Sequence, residues 1–199
     1  MEKKKNDFIA QGSILAIASI LVRVMGMIYR IPMTAIIGDK GNGFYSYAYS
    51  VYTILLLLSS YSLPLAVSKM VSAKAQLGQW RNVKRVFICA IAFAIGIGTT
   101  FGLIVLVGAQ FFTRVFFHSE LAAIALRFMA PTILIIALLG VFRGFFQGLQ
   151  NTLPTAVSQI VEGLINAIMS VVFAYFLFDF GHGMDAAGGT TELGYAWGA

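Results

Sequence analysis

Charge is scarce in this sequence: 11% of its residues are Asp, Glu, Lys or Arg, while 59% are hydrophobic. A chain of 199 residues with that balance has too little polar surface to cover a water-soluble globule, which excludes an ordinary soluble domain. The one cysteine, Cys89, excludes an intramolecular disulfide and reads as a small buried hydrophobe. The two histidines, His118 and His182, stand apart without ligand-spaced companions, so no metal site is expected. HExxH, CxxC, GxSxG and Walker-type loops are missing, and carboxylates do not cluster near a membrane face. The expectation is therefore a protein that is not an enzyme and carries no cofactor.

What the sequence does have is long apolar runs, with a mean hydropathy of +0.84. Five are long enough to cross a bilayer, over 8–37, 45–67, 86–112, 121–148 and 155–178, and a sixth begins near Leu193. The first is too long and too polar for a signal peptide, and no small-residue cleavage pattern follows it. An all-α, polytopic helical membrane protein is predicted. Because the sixth run stops after two turns, the chain reads as the N-terminal part of a longer transporter.

Cytoplasmic loops retain Lys and Arg during insertion, so the basic residues set the orientation. Lys3, Lys4 and Lys5 precede the first span, and Lys69, Lys74, Arg81, Lys84 and Arg85 fill the connection over 68–85. The opposite side holds Lys40 and Arg114 among Asp39, Glu120, Asp179, Asp185 and Glu192. A cytoplasmic N-terminus is predicted, with 179–192 as a glycine-rich outer loop. The net charge of +6 does not imply nucleic acid, because the cations alternate with topology and no soluble domain presents them to a duplex. The stretch 68–85, with Trp80 among its cations, reads as a topology anchor or as a helix lying on an anionic leaflet.

Within the first span, "ILVRVMGMIYRIPMT" sets Arg23 and Arg30 in an oily run. Each mid-span arginine costs about 2.5 to 3.5 kcal/mol on the insertion scale, so the pair needs compensation that lipid tails do not provide. Seven residues apart, they share one helix face, separated by roughly 10 Å along the axis. Snorkelling accounts for either one alone, and a shared water-filled cavity accounts for both. Pro32 removes a backbone donor two residues later and frees a carbonyl near Ile28, so a kink is expected there. Gly26 leaves room for another helix or a bulky ligand.

The fifth span carries Thr155, Gln159, Glu162, Asn166 and Ser170 at three- and four-residue intervals, a polar stripe that should face inward. Glu162 has three available roles there: neutralising an arginine, binding a coupling cation, or contacting substrate. Arg127 and Arg143 lie in the fourth span, and Arg143 reads as an interfacial residue. Tyr45, Tyr47, Tyr49 and Tyr52 form an aromatic belt or, alternatively, a wall on which sugar rings could stack. Gly98 and Gly102 make a GxxxG pair suited to close helix packing. Together these features predict a polar, net cationic cavity for an anionic substrate, with arginine suited to phosphate through its planar fork.

Two runs, "VRVMGMIYRIPMTAIIGDKGNGFYSYAYSVYTILLLLSSYSLPLAVSKMVSAK" and "FRGFFQGLQNTLPTAVSQIVEG", resemble the polysaccharide-transporter branch of the multidrug/oligosaccharidyl-lipid/polysaccharide exporter superfamily. Within it the likeness is to the stage V sporulation protein B-like and lipid II flippase-like group of Gram-positive bacteria. The resemblance implies two lobes around a central cavity with alternating access, this chain supplying most of the first lobe in a bacterial cytoplasmic membrane. It implies movement of undecaprenyl-pyrophosphate-linked sugars or peptidoglycan precursor from the inner to the outer leaflet. Arg23, in "VRVMG", takes the position of an arginine that meets the pyrophosphate, and Asp39 that of an acidic residue near the gate.

The resulting expectation is a lipid-linked oligosaccharide flippase. Arg23, Arg30, Gln159, Glu162 and Asn166 would contact substrate, and Asp39 with Pro32 would serve gating or coupling. Membrane potential or a monovalent cation would drive it, the lipid-linked substrate and the bilayer would be its partners, and cell-wall synthesis proteins its associates. Two other classes compete: a cation-coupled multidrug exporter of the same superfold, in which Glu162 binds the ion or drug, and a non-transporting scaffold of the cell envelope.

Overall fold

A helix breaks where glycine takes a backbone conformation closed to other residues, and α1 (Glu2–Ser60) does so at Gly38, with φ 63° and ψ −173°. The computed structural model describes residues 2–60, 62–119 and 121–188, with side chains over 12–59, 62–119 and 121–181. Four further helices follow: α2 (Leu63–Gln76), α3 (Trp80–Phe117), α4 (Ala122–Gly148) and α5 (Leu153–Gly188). No strand occurs among the described residues. The expected sixth span from Leu193, and Glu120 and Glu192, lie outside them, as do the side chains of Lys3, Lys4, Lys5, His182 and Asp185.

Helical stretches long and apolar enough to cross a membrane are Gly12–Gln76, Trp80–Phe117, Ala122–Gly148 and Leu153–Gly181. Their outward faces are apolar: Leu65, Val107 and Ile31 are 76%, 80% and 73% exposed. Such a surface is stable in lipid and not in water, and the chain is an all-α multi-pass membrane protein. Straight, the 59 residues of α1 would reach about 90 Å, three times the hydrocarbon thickness. The break at Gly38 divides it into two arms.

The arms have different partners. On the first, Val22 and Met25 meet Gly163, and Met33 and Ile37 pack with Ala174, so this arm runs parallel to α5. On the second, Ala48, Val51 and Tyr52 enter a core with Val105 and Ala109 of α3 and Leu126, Ala130 and Ile133 of α4. The interruption falls at Gly38 and not at the expected Pro32, where the backbone stays helical. Proline's missing N–H is tolerated within a helix held by neighbours, whereas a positive φ forces the chain out of it.

Close approach between helices follows the small residues. A methyl group at Gly98 would stand 2.9 Å from Leu134 Cα, and one at Gly102 would stand 3.2 Å from the Ala130 carbonyl, so the GxxxG pair seats α3 antiparallel on α4. Three glycines of α4 that sequence analysis passed over, Gly140, Gly144 and Gly148, form a groove for Pro64, Ser68 and Val71 of α2. Residues 68–85 are consequently not one surface helix. Val71 is buried on α4, Gly78 turns the chain with φ 68°, and α3 has begun by Trp80. Cys89, expected to be buried, is exposed on α3. At the other end α5 passes through 179–188, read from sequence as loop, because extending a formed helix needs far less than starting one.

Candidate functional site

The α4–α5 hairpin turns at 149–152, but the two helices then touch little, and the space between them is a cleft of about 870 Å³. Each arm of α1 walls one flank. From the second arm come Tyr45, Tyr49 and Tyr52, spaced four and three residues apart and so on one face. Their rings follow one another at 5.6 Å and 6.1 Å between centroids. Tyr29 and Met33 enter from the first arm, and α4 contributes Met129, Thr132, Ile136 and Leu139. Tyr47 points elsewhere and stacks on Phe117, at 4.7 Å. Three of the four tyrosines of the expected interfacial belt are thus part of the cleft wall.

Along α5, Ser158, Glu162, Asn166 and Ser170 give the wall its polar stripe. Ser170 donates to Asn166 Oδ1 at 3.1 Å, leaving the amide NH2 of Asn166 available to a ligand. Opposite, Thr132 Oγ1 hydrogen-bonds the Tyr52 hydroxyl at 3.1 Å and the Met129 carbonyl at 2.6 Å, which fixes the tyrosine. Glu162 forms an ion pair with Arg143 Nη2. Arg143 Nε donates to Ser158 Oγ at 3.3 Å, and Ser158 in turn donates to the Thr155 carbonyl at 2.8 Å. Rings with hydroxyl and amide groups beside them can stack on sugar faces and bond their hydroxyls.

The residues singled out from sequence separate here. Glu162 and Asn166 line the cleft. Gln159 does not; its Oε1 is buried without a hydrogen-bond partner among the described residues, as is the Thr155 hydroxyl one turn earlier. Arg23 and Arg30 are exposed, do not line the cleft, and have no carboxylate partner among the described residues. Arg30 lies within electrostatic reach of Tyr45. Asp39 is exposed immediately after the break at Gly38, and Pro32 is exposed on the first arm. Among the described residues the cleft is therefore not net cationic as expected: the charged side chain on its wall is Glu162, with Arg143 behind it.

Arg143, read from sequence as interfacial, is the principal residue missed. A register argument would have found it: in a hairpin closed at 149–152, residue 143 faces residue 158, and Glu162 is one turn further on. Tyr29 was missed because a single aromatic in an oily run carries no pattern.

The polysaccharide biosynthesis protein family model matches residues 8–186. Lipid II flippase MurJ of Bacillus subtilis (strain 168) is 26% identical over 191 residues, covering 92% of this chain and 34% of that protein. Stage V sporulation protein B of the same organism is 27% identical over 184 residues, covering 92% and 36%. Its uncharacterized membrane protein YabM is 26% identical, covering 96% and 35%. The chain thus spans about a third of the length of these relatives. No solved structure matches it. With the match running through both arms of α1 and nearly all of α5, the chain belongs to the polysaccharide biosynthesis protein family.

Proposed function

We propose that this chain is one lobe of an alternating-access flippase that carries a prenyl-pyrophosphate-linked saccharide from the inner to the outer leaflet of a bacterial cytoplasmic membrane. The observation that carries the reading is the cleft: a row of tyrosines faces a stripe of hydroxyl, amide and carboxylate groups inside an otherwise apolar bundle. Polar groups at that depth are expensive and face a ligand path or one another. The name of the flippase among its relatives supports the same reading.

In this scheme the saccharide occupies the cleft, stacked on Tyr45, Tyr49 and Tyr52 and bonded by Asn166 and Ser170. The pyrophosphate meets Arg23 and Arg30, both exposed and without a carboxylate partner among the described residues. The prenyl tail stays in lipid, since each methylene brought into water costs about 0.8 kcal/mol. Gln159 supports the wall from behind, and the break at Gly38, with Pro32 before it and Asp39 after it, serves as the hinge for gating. The N-terminus is cytoplasmic, and membrane potential or a monovalent cation supplies the drive, a potential of 100 mV being worth about 2.3 kcal/mol per charge.

The test is outer-leaflet exposure of lipid-linked precursor in cells depleted of the protein, read with an added enzyme that attacks externally displayed head groups. Exposure should fall while precursor accumulates inside, and Arg23→Ala should fail to restore it although the protein inserts. Unchanged exposure, once redundant transporters are removed, would overturn the reading. One observation favours a cation-coupled multidrug exporter instead: the charged group on the cleft wall is a carboxylate, Glu162. Depletion should then sensitise cells to cationic drugs and leave precursor exposure intact.

A further inference from the structure

The ion pair at the closed end of the cleft is arranged unequally. Glu162 is half exposed, at 50%, and lines the cleft, whereas the Arg143 side chain behind it is 20% exposed. The pair is not required to hold α4 and α5 together, because the short connection over 149–152 already does so a few residues away. A guanidinium offers two parallel N–H donors on its Nε–Nη2 edge, the edge that grips two oxygens of one phosphate. Here that edge is divided, Nε to Ser158 and Nη2 to Glu162. Ser158 spends its own proton on the Thr155 carbonyl and so presents a lone pair that keeps the guanidinium oriented. Glu162 is the exposed half of the arrangement and the half that can leave without disturbing the arginine's position.

We propose that Arg143 is an anion-binding residue of the cleft, covered by Glu162 until a phosphate or pyrophosphate group takes the Nε–Nη2 edge, displacing the carboxylate from Nη2 and the Ser158 hydroxyl from Nε. This rests on the reading of the cleft as a site for a lipid-linked saccharide and adds a place for the anion that neither Arg23 nor Arg30 provides within the cleft. Displacement conserves charge. One anion replaces another at the guanidinium, and the freed Glu162 carboxylate turns into the open cleft, where it accepts hydrogen bonds from ligand hydroxyls. A ligand carrying both phosphate and hydroxyl groups satisfies both residues, while a phosphate alone leaves the carboxylate unpaired. The exchange therefore selects for a phosphorylated saccharide over either part alone.

The experiment is calorimetric titration of the purified full-length protein with inorganic pyrophosphate and, separately, with a prenyl pyrophosphate. Wild type, Glu162→Gln, Arg143→Gln, Arg143→Lys and the double variant Arg143→Gln/Glu162→Gln are compared. Uncovering the arginine in Glu162→Gln should tighten binding by about tenfold or more, the lower end of a charge-assisted hydrogen bond. That gain should vanish in the double variant. Arg143→Lys, which keeps the ion pair and so guards against misfolding, should bind more weakly than wild type for want of the fork. The inference is overturned if Glu162→Gln tightens binding equally in the Arg143→Gln background, since the gain is then general electrostatics, or if Arg143→Lys binds as wild type does.

Tighter binding of the prenyl form than of inorganic pyrophosphate identifies the anion as a lipid head group, and equal binding identifies it as free pyrophosphate; both support an anion site at Arg143. If the binding pattern holds in a protein that leaves lipid-linked precursor unmoved, the flippase reading falls and this inference stands. If precursor moves while binding ignores both residues, this inference falls alone.

Discussion

Single glycines decide more of this molecule than single charges do. Gly144 lies against the Pro64 backbone, where an added methyl would stand 2.5 Å from the carbonyl oxygen, and α2 cannot recede without opening its buried contacts at Val67 and Val71. Gly144→Ala should therefore destabilise the protein by about 1 to 3 kcal/mol, the range for overpacking, as read by thermal unfolding in detergent. Gly26→Ala puts its methyl into open space and should be neutral or slightly stabilising in the same assay, alanine being the better helix former by about 1 kcal/mol. Equal gains at the two positions would mean that helix propensity, not packing, governs them. At Gly38 the penalty has another origin. With φ 63° and ψ −173° a side chain is strained whatever the space around it, and Gly38→Ala should cost about 1 to 3 kcal/mol or straighten the break.

At the scale of the element, what matters is which helix accompanies which. The first arm of α1 lies parallel to α5, far from its neighbour in sequence, while the second arm belongs to the α3–α4 core. After Cys89→Ser removes the native thiol, cysteines at Val22 and Gly163 should cross-link with a short bifunctional thiol reagent, because Val22 lies 3.3 Å from a methyl placed at Gly163. A pair at Leu21 and Gly163 should not. Cross-linking through Leu21 in place of Val22 would turn the first arm about its own axis against α5, and failure of both pairs would place it on another helix. Helix periodicity alone identified the inward stripe of α5 down to Glu162 and Asn166, since a face is a local property of a helix. It could not show that Gln159, on the same stripe, turns away from the cleft, because the side of a stripe that meets a neighbour depends on where that neighbour lies.

For the whole molecule the cleft is a consequence of two divergences. α4 and α5 separate beyond their tight connection, and the arms of α1 separate at Gly38, so four helical segments surround a space that none of them would enclose alone. The turns before and after α3 are at opposite ends of that helix, whose 38 residues reach roughly 57 Å and exceed the bilayer's hydrocarbon thickness. In the Cys89→Ser background, single cysteines at Gln79 and Ser119 should react with impermeant thiol reagents from opposite sides of the membrane, Gln79 from the cytoplasmic side. Labelling of both from one side would contradict a transmembrane α3.

The sequence by itself determined the solvent, the helical class, the family resemblance and the polar face of α5, because each follows from composition or from a period along one helix. Only the tertiary structure decided which tyrosines wall the cleft, that Arg143 pairs with Glu162, and that Arg23 and Arg30 lie outside the cleft they had been expected to make cationic. The physical reason is the same in each case. A helix in lipid can present an apolar surface in every direction, so hydropathy does not say which side meets a partner; close packing at small residues does, and that is a relation between segments distant in sequence.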